Sequence, residues 1–168
     1  DSEIREEIDL FTNWYRGWNV SHKSGKSDTI SMSGCSELRD ELKSLGLWGL
    51  RSGDKFVPFK YKTAPIGIRL RVIAGLLDSD GSLTSGGYDY ISKSNELAND
   101  LAFMCRSVGL AAYVRKCRKG YEGFSGEYWR VSISGDCSII PCDVEYKKAP
   151  VRKQKKNVLR TGIKSCES

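Results

Sequence analysis

Residues Arg69 to Leu83, RLRVIAGLLDSDGSL, constrain the fold more than any other stretch of this 168-residue chain. Val72 to Leu77 is an apolar run that stops abruptly at Asp78-Ser79-Asp80-Gly81. As a helix it places Ala74 and Gly75 mid-run, where another helix backbone can come close. Gly in a helix interior costs ~1 kcal/mol against Ala, so its presence asks for a packing reason. Gly81 is a natural stop, free to take a left-handed conformation. The two carboxylates then sit at the negative end of the helix macrodipole, where acids are disfavoured. That placement favours a hard-cation site over a salt-bridge site. The plain alternative is a buried helix followed by an Asp/Gly turn. An EF-hand loop is excluded: with Asp78 first, the sixth position is Leu83 rather than Gly and the twelfth is Asp89 rather than Glu.

The rest of the chain reads as alternating helices and strands. Glu3 to Tyr15 has Ile4, Ile8 and Phe11 on one helical face, with Ser2 as the expected cap. Trp18 to Lys23 and Asp28 to Ser33 read as strands around a Ser-Gly-Lys-Ser turn. Cys35 to Leu45 is an amphipathic helix with Leu38, Leu42 and Leu45 inward and Ser36 as its cap. Gly46 to Pro65, interrupted by Pro58, is an expected ordered connector, because Trp48, Phe56, Phe59 and Tyr61 need packing partners. The central helix spans Ile66 to Asp78. Tyr88 to Ser92 is a strand, and Asn95 is the expected cap of a helix over Glu96 to Val108 with Leu97, Leu101 and Met104 inward. Ala111 to Lys119 and Tyr128 to Ser134 are strands, and Asp136 to Cys142 is a short helix limited by Pro141.

Self-similarity organises these elements. Glu3, Ile4, Ile8, Leu10 and Phe11 align with Glu96, Leu97, Leu101, Phe103 and Met104 at a constant offset of 93. Ile30-Ser31-Met32-Ser33-Gly34 aligns with Val131-Ser132-Ile133-Ser134-Gly135. Both copies read helix, strand, strand, helix, the pattern of a duplicated α/β half-domain. The second copy alone opens with the central helix and the strand Tyr88–Ser92, so the first half is expected to lack its leading helix and strand.

Charge points to a polyanionic partner. The net charge is +6, and it is unevenly spread. Residues 1–54 hold seven Lys/Arg against ten Asp/Glu, whereas residues 111–160 hold twelve against five. Of the six cysteines none forms a C-x-x-C pair, and His22 is the single histidine, which argues against a structural zinc site. With no signal peptide opening the chain and no apolar run near ~18 residues, the expectation is an intracellular protein with reduced thiols.

Ile73 to Gly81, IAGLLDSDG, resembles the nine-residue motif of the LAGLIDADG homing endonucleases almost letter for letter. The resemblance implies an α+β fold of two αββαββα half-domains about a pseudo-two-fold axis, with motif helices packed at the centre and curved sheets facing the DNA major groove. Residues 1–45 would be a partial first half, 46–65 a connector, 66–146 a complete second half, and 147–168 a basic segment. The chain looks most like the intein-encoded type, because Lys55 in KFVPF and Lys148 in YKKAPVR resemble the catalytic lysines of those members. Lys147 is an alternative match for the second. The run 156–164, KNVLRTGIK, is similar to the segment leading into an intein splicing domain, although splicing residues are absent.

The implied activity is a site-specific, Mg²⁺-dependent double-strand break in nuclear DNA at the uninterrupted host gene. The expected protein is a pseudo-symmetric monomer, fused in nature to a splicing domain and host protein. Asp80 would be the metal ligand, and Lys55 and Lys148 would stabilise transition-state charge. Asp78 would be a helix-end or supporting group. DNA contacts would come from Arg115, Lys116, Arg118, Lys119, Arg130 and Ser132 on one strand pair, His22, Lys23 and Lys26 on the other, and Lys153 in the tail. Alternation puts Arg130, Ser132 and Ser134 on the open face and Val131 and Ile133 on the core face. Tyr88 and Tyr90 could touch DNA or pack inward. The alternative is a relic that binds DNA without cutting it.

Overall fold

A computed structural model of the chain describes residues 2–14, 19–23, 29–85, 87–121 and 124–151. In chain order these form α1 (Ser2–Trp14), β1 (Asn19–Lys23), β2 (Thr29–Ser33), α2 (Ser36–Ser44), α3 (Phe59–Lys62), α4 (Ile66–Asp80), β3 (Gly81–Thr84), β4 (Gly87–Ser92), α5 (Asn95–Ser107), β5 (Ala111–Tyr121) and β6 (Phe124–Ser134). Short 3-10 turns follow at Cys137–Ile139 and Glu145–Lys147. The first of these replaces the expected short helix over Asp136 to Cys142. The fold class is α+β.

The organising layer is a four-stranded antiparallel sheet in the order β3-β4-β6-β5. Its residues alternate cleanly, as a sheet with one covered face requires. Tyr88 and Tyr90 of β4, Val131 and Ile133 of β6, and Ala112 of β5 are buried on one side. Helix α5 closes that side with Leu97, Ala98, Leu101, Ala102, Met104 and Cys105. Fully burying a Leu or Ile stabilises by ~1.5–3 kcal/mol, so each such side chain between α5 and the sheet contributes to holding the two together. Both tyrosines belong to it and neither reaches the open face.

Helix α4 packs at the edge of this core through Ile73, Ala74, Leu77 and Asp78. It runs to Asp80, two residues beyond the expected end. Gly81 does not take a left-handed conformation. It is extended, with φ −81° and ψ 155°, and opens β3, an edge strand that sequence patterning missed. Its glycine is required by crowding instead, because a Cβ there would lie 2.7 Å from both Cα and the carbonyl oxygen of Leu77. Gly75 has open space where its Cβ would be, and Ile66 and Ile68 on the same helix are exposed.

The caps also differ from expectation. Ser94, not Asn95, caps α5: its Oγ accepts the backbone N–H of Leu97 at 3.0 Å. Cys35, not Ser36, occupies the N-cap of α2 and makes no side-chain cap bond. Ser2 lies within α1 rather than before it.

Polar groups anchor the connector. The buried carboxylate of Asp100 on α5 accepts Val57 N at 2.9 Å and Lys62 Nζ at 2.6 Å. Val57 is buried and Tyr61 packs against the core, whereas Trp48 and Phe59 stay exposed. Strands β1 and β2 form a separate two-stranded ribbon. The order helix, strand, strand therefore occurs twice, as α1-β1-β2 and α5-β5-β6.

Candidate active site and nucleic-acid interface

The end of α4 is held by a reciprocal clasp with residues 143–147. Asp78 is only 5% exposed, and its carboxylate accepts the backbone N–H groups of Asp143 at 2.9 Å and Val144 at 3.3 Å. In return the ammonium of Lys147, also 5% exposed, donates to the main-chain carbonyls of Leu77 (3.1 Å), Asp78 (2.6 Å) and Ser79 (3.4 Å). These are carbonyls of the last helical turn, where Leu77 O also accepts the Gly81 N–H, and a cation is the partner that both their lone pairs and the macrodipole favour. Tyr88 adds a further tie, its hydroxyl donating to Lys147 O at 2.5 Å. The Sγ of Cys142 lies 3.5 Å from the same hydroxyl.

This clasp separates the two acids of the motif. Asp78 is consumed in structure. Asp80, one residue before β3, is exposed, and among the described residues no hydrogen bond or ion pair engages its carboxylate. It faces Tyr90 closely enough to act on it: burial first, and then the Asp80 charge, push the Tyr90 phenol up to about 12.

The two lysines differ as sharply. Lys147 is the buried helix cap. Lys148 is exposed and ion-paired to Glu145 at 2.5 Å, which raises its pKa above the ordinary lysine value. Lys55 is exposed at the connector, its backbone carbonyl accepting Ser94 Oγ at 2.5 Å. No hydrogen bond or ion pair among the described residues joins Lys55 or Lys148 to Asp80.

The face of the sheet opposite α5 is open. Register and alternation place Ser82, Asp89, Ile91, Ser132, Arg130, Tyr113, Arg115 and Lys119 there. The basic residues of β5 are thus split. Arg115 and Lys119 share the open face with Arg130 and Ser132. Lys116 and Arg118 point to the other side, where the ribbon extends past the core. There Lys116 pairs with Glu127 at 2.8 Å, and Arg118 donates to Ser125 Oγ at 3.4 Å. On the β1-β2 ribbon, Lys23 is exposed and His22 lies within β1. The His22 side chain, Lys26 and Lys153 lie outside the described residues. Asp89, Tyr113 and Asp100 were not singled out by sequence; for Asp89 the signal was its alternation with Tyr88 and Tyr90, which sends it to the open face.

Residues 68–140 match the family model of a LAGLIDADG-like domain. The match covers α4 from Ile68 onward, the four-stranded sheet and α5. Over these residues the chain is similar to a LAGLIDADG homing-endonuclease-type domain. The family comprises DNA-binding nucleases that generally use divalent metal ions. No described helix is long and apolar enough to cross a membrane.

Among the described residues there is no group of three or more His, Cys, Asp or Glu side chains suited to hold a metal by themselves. The helix-end carbonyls are already taken by Lys147. What the motif offers is the free carboxylate of Asp80. Mg²⁺ suits such a site, because it takes one or two carboxylates and completes its shell with water and substrate phosphate.

Proposed function

We propose that the chain is an intein-type homing endonuclease that makes a site-specific, Mg²⁺-dependent double-strand break in nuclear DNA at the intein-less host gene. The observation that carries this reading is the contrast within the motif: Asp78 locked in the clasp, Asp80 exposed and unengaged at the end of the same rigid helix. A merely structural Asp/Gly turn has no use for a second, free acid at the negative helix end.

In this reading Asp80 would be the protein's carboxylate ligand for the ion. The ion, when bound, lowers the pKa of its water and offsets charge on the leaving oxygen. Lys147 and Asp78 keep the helix end fixed, so that the Asp80 carboxylate is aimed before DNA arrives. Arg115, Lys119, Arg130 and Ser132 meet the duplex on the open face. Lys23, Lys26 and His22 serve the second ribbon, and Lys116, Arg118 and Lys153 hold phosphate at the margins. Lys55 and Lys148 stabilise charge on the phosphate in the transition state. Residues 1–45 act as part of a first half-domain and 66–146 as the second, in a pseudo-two-fold monomer fused to a splicing domain and host protein.

A second reading is a DNA-binding relic without cleavage. It is favoured by the presence of one unengaged motif-helix carboxylate, Asp80, among the described residues, where two scissile phosphates must be served. A plasmid bearing the uninterrupted junction, incubated with and without Mg²⁺, tests both. Linearisation that needs Mg²⁺ and is lost in Asp80→Asn supports the nuclease. Salt-sensitive binding without any cut supports the relic, and neither binding nor cutting overturns both.

A further inference from the structure

On the open face of the sheet a carboxylate stands among the bases. Asp89 lies at the centre of β4, opposite Ser132 on β6. Its Oδ1 accepts the Ser132 hydroxyl at 2.8 Å, and its Oδ2 lies 3.4 Å from Nη1 of Arg130. Arg130 is in turn directly opposite Arg115 on β5. No hydrogen bond or ion pair engages Arg115 among the described residues. Two arginines of the same face thus differ: one is held by an acid and the other is free.

Held and free arginines do different work on DNA. A free guanidinium on a solvated face goes to the nearest phosphate, which carries affinity but no sequence information. A guanidinium tethered on one edge keeps donors on its other edge, in the fork geometry that matches O6 and N7 of guanine. The tethering acid also repels phosphate, which weakens sequence-independent binding. An exposed ion pair of this kind adds little to stability, so folding alone does not account for it.

We propose that Asp89 is a positioning residue for sequence discrimination: it holds Arg130 as a base-edge reader and keeps it off the phosphate backbone. The proposal rests on the DNA-binding reading above and deepens it.

The test uses the full chain and a short duplex pool of random sequence, with binding measured across a salt series and the retained duplexes sequenced. Asp89→Asn is expected to tighten binding to the pool and to flatten the sequence preference of the retained set. It should also steepen the log K against log salt slope by ~0.9, the value for one more neutralised phosphate. In an Arg130→Gln background the same Asp89→Asn change should leave the slope where it is. The proposal is overturned if Asp89→Asn alters neither slope nor preference, or if it steepens the slope equally without Arg130, which would make Asp89 a bulk-charge effect. Absence of any binding by the unmodified chain at about 50 mM salt overturns the DNA reading itself, and this proposal with it. With binding by the unmodified chain intact, either of the first two outcomes overturns this proposal alone.

Discussion

The ammonium of Lys147 donates to the main-chain carbonyl of Asp78 at 2.6 Å, while the carboxylate of Asp78 accepts the backbone N–H of Asp143 at 2.9 Å. Each residue thus satisfies the other's stretch of backbone, and together they fix where the motif helix ends.

Removing either half of this clasp should be costly. Lys147→Met takes the cation away from three helix-end carbonyls, of which Leu77 O keeps the Gly81 N–H, and hydrogen bonds to charged groups contribute ~1.5–3 kcal/mol. We expect a loss of about 2–4 kcal/mol in urea unfolding, given the added helix-end interaction. Asp78→Ala should lose about 1.5–3 kcal/mol for the same reason. Lys148→Met, at an exposed ion pair, should leave the midpoint essentially where it was. Equal effects of the two lysine variants would contradict the assignment of Lys147 as the cap.

Asp80 should behave in the opposite sense. It sits exposed at the negative end of α4 and makes no compensating pair among the described residues. Asp80→Asn is therefore expected to stabilise the protein, by ~0.3–1 kcal/mol, while abolishing cleavage and sparing DNA affinity. A stability gain coupled to a loss of function is the mark of a carboxylate kept for chemistry. If the variant is destabilised, Asp80 has a structural partner and its role must be reassigned.

The two glycines of the motif should respond differently to alanine. Gly81→Ala places a methyl 2.7 Å from the Leu77 backbone, and since backbone cannot swing aside, the α4-β3 junction must shift. Overpacking of this kind costs ~1–3 kcal/mol or more. Gly75→Ala meets nothing within 4 Å and should stabilise the helix by up to ~1 kcal/mol. Thermal melts of the two variants check both signs.

Alkaline pH should weaken the fold through buried neutral acids. Burial, then the neighbouring Cys137, pushes the Cys105 thiol up to about 12; burial pushes Cys142 up to about 11 and Tyr90 up to about 12. In each case the unfolded chain loses its proton first as the pH rises. Stability is therefore fully present below the ordinary thiol range and falls between about pH 9 and pH 12. Urea midpoints across this window should decline, and less steeply in Cys105→Ala. Alkylation at about pH 8 should reach half-buried Cys35 and Cys117 well before Cys105 or Cys142. Rapid alkylation of Cys105 in the folded protein would contradict its burial.

Much of the architecture was legible in residue order. The period-two alternation of Arg130, Val131, Ser132 and Ile133 placed the core face of β6, and Leu97, Leu101 and Met104 placed the inner face of α5. The motif helix was legible from its apolar run. Its true end was not, because Lys147, 69 residues from Asp78, decides it. Strand β3 was missed because four residues of an edge strand carry too little pattern to outweigh a turn signal. Asn95 looked like a cap and Ser94 is one, a one-residue ambiguity that only backbone direction resolves.

Local order along the chain thus determined which segments are helices and strands and which faces are apolar, because periodicity depends on neighbours a few residues apart. It also placed two acids together at one helix end. Only the tertiary structure decided that one of them is spent holding residues 143 and 144 while the other stays exposed. The same is true of the two adjacent lysines, one buried as a cap and one left at the surface. Adjacent residues of one type are equivalent in a sequence, and what separates them is which of them the rest of the fold desolvates and supplies with partners.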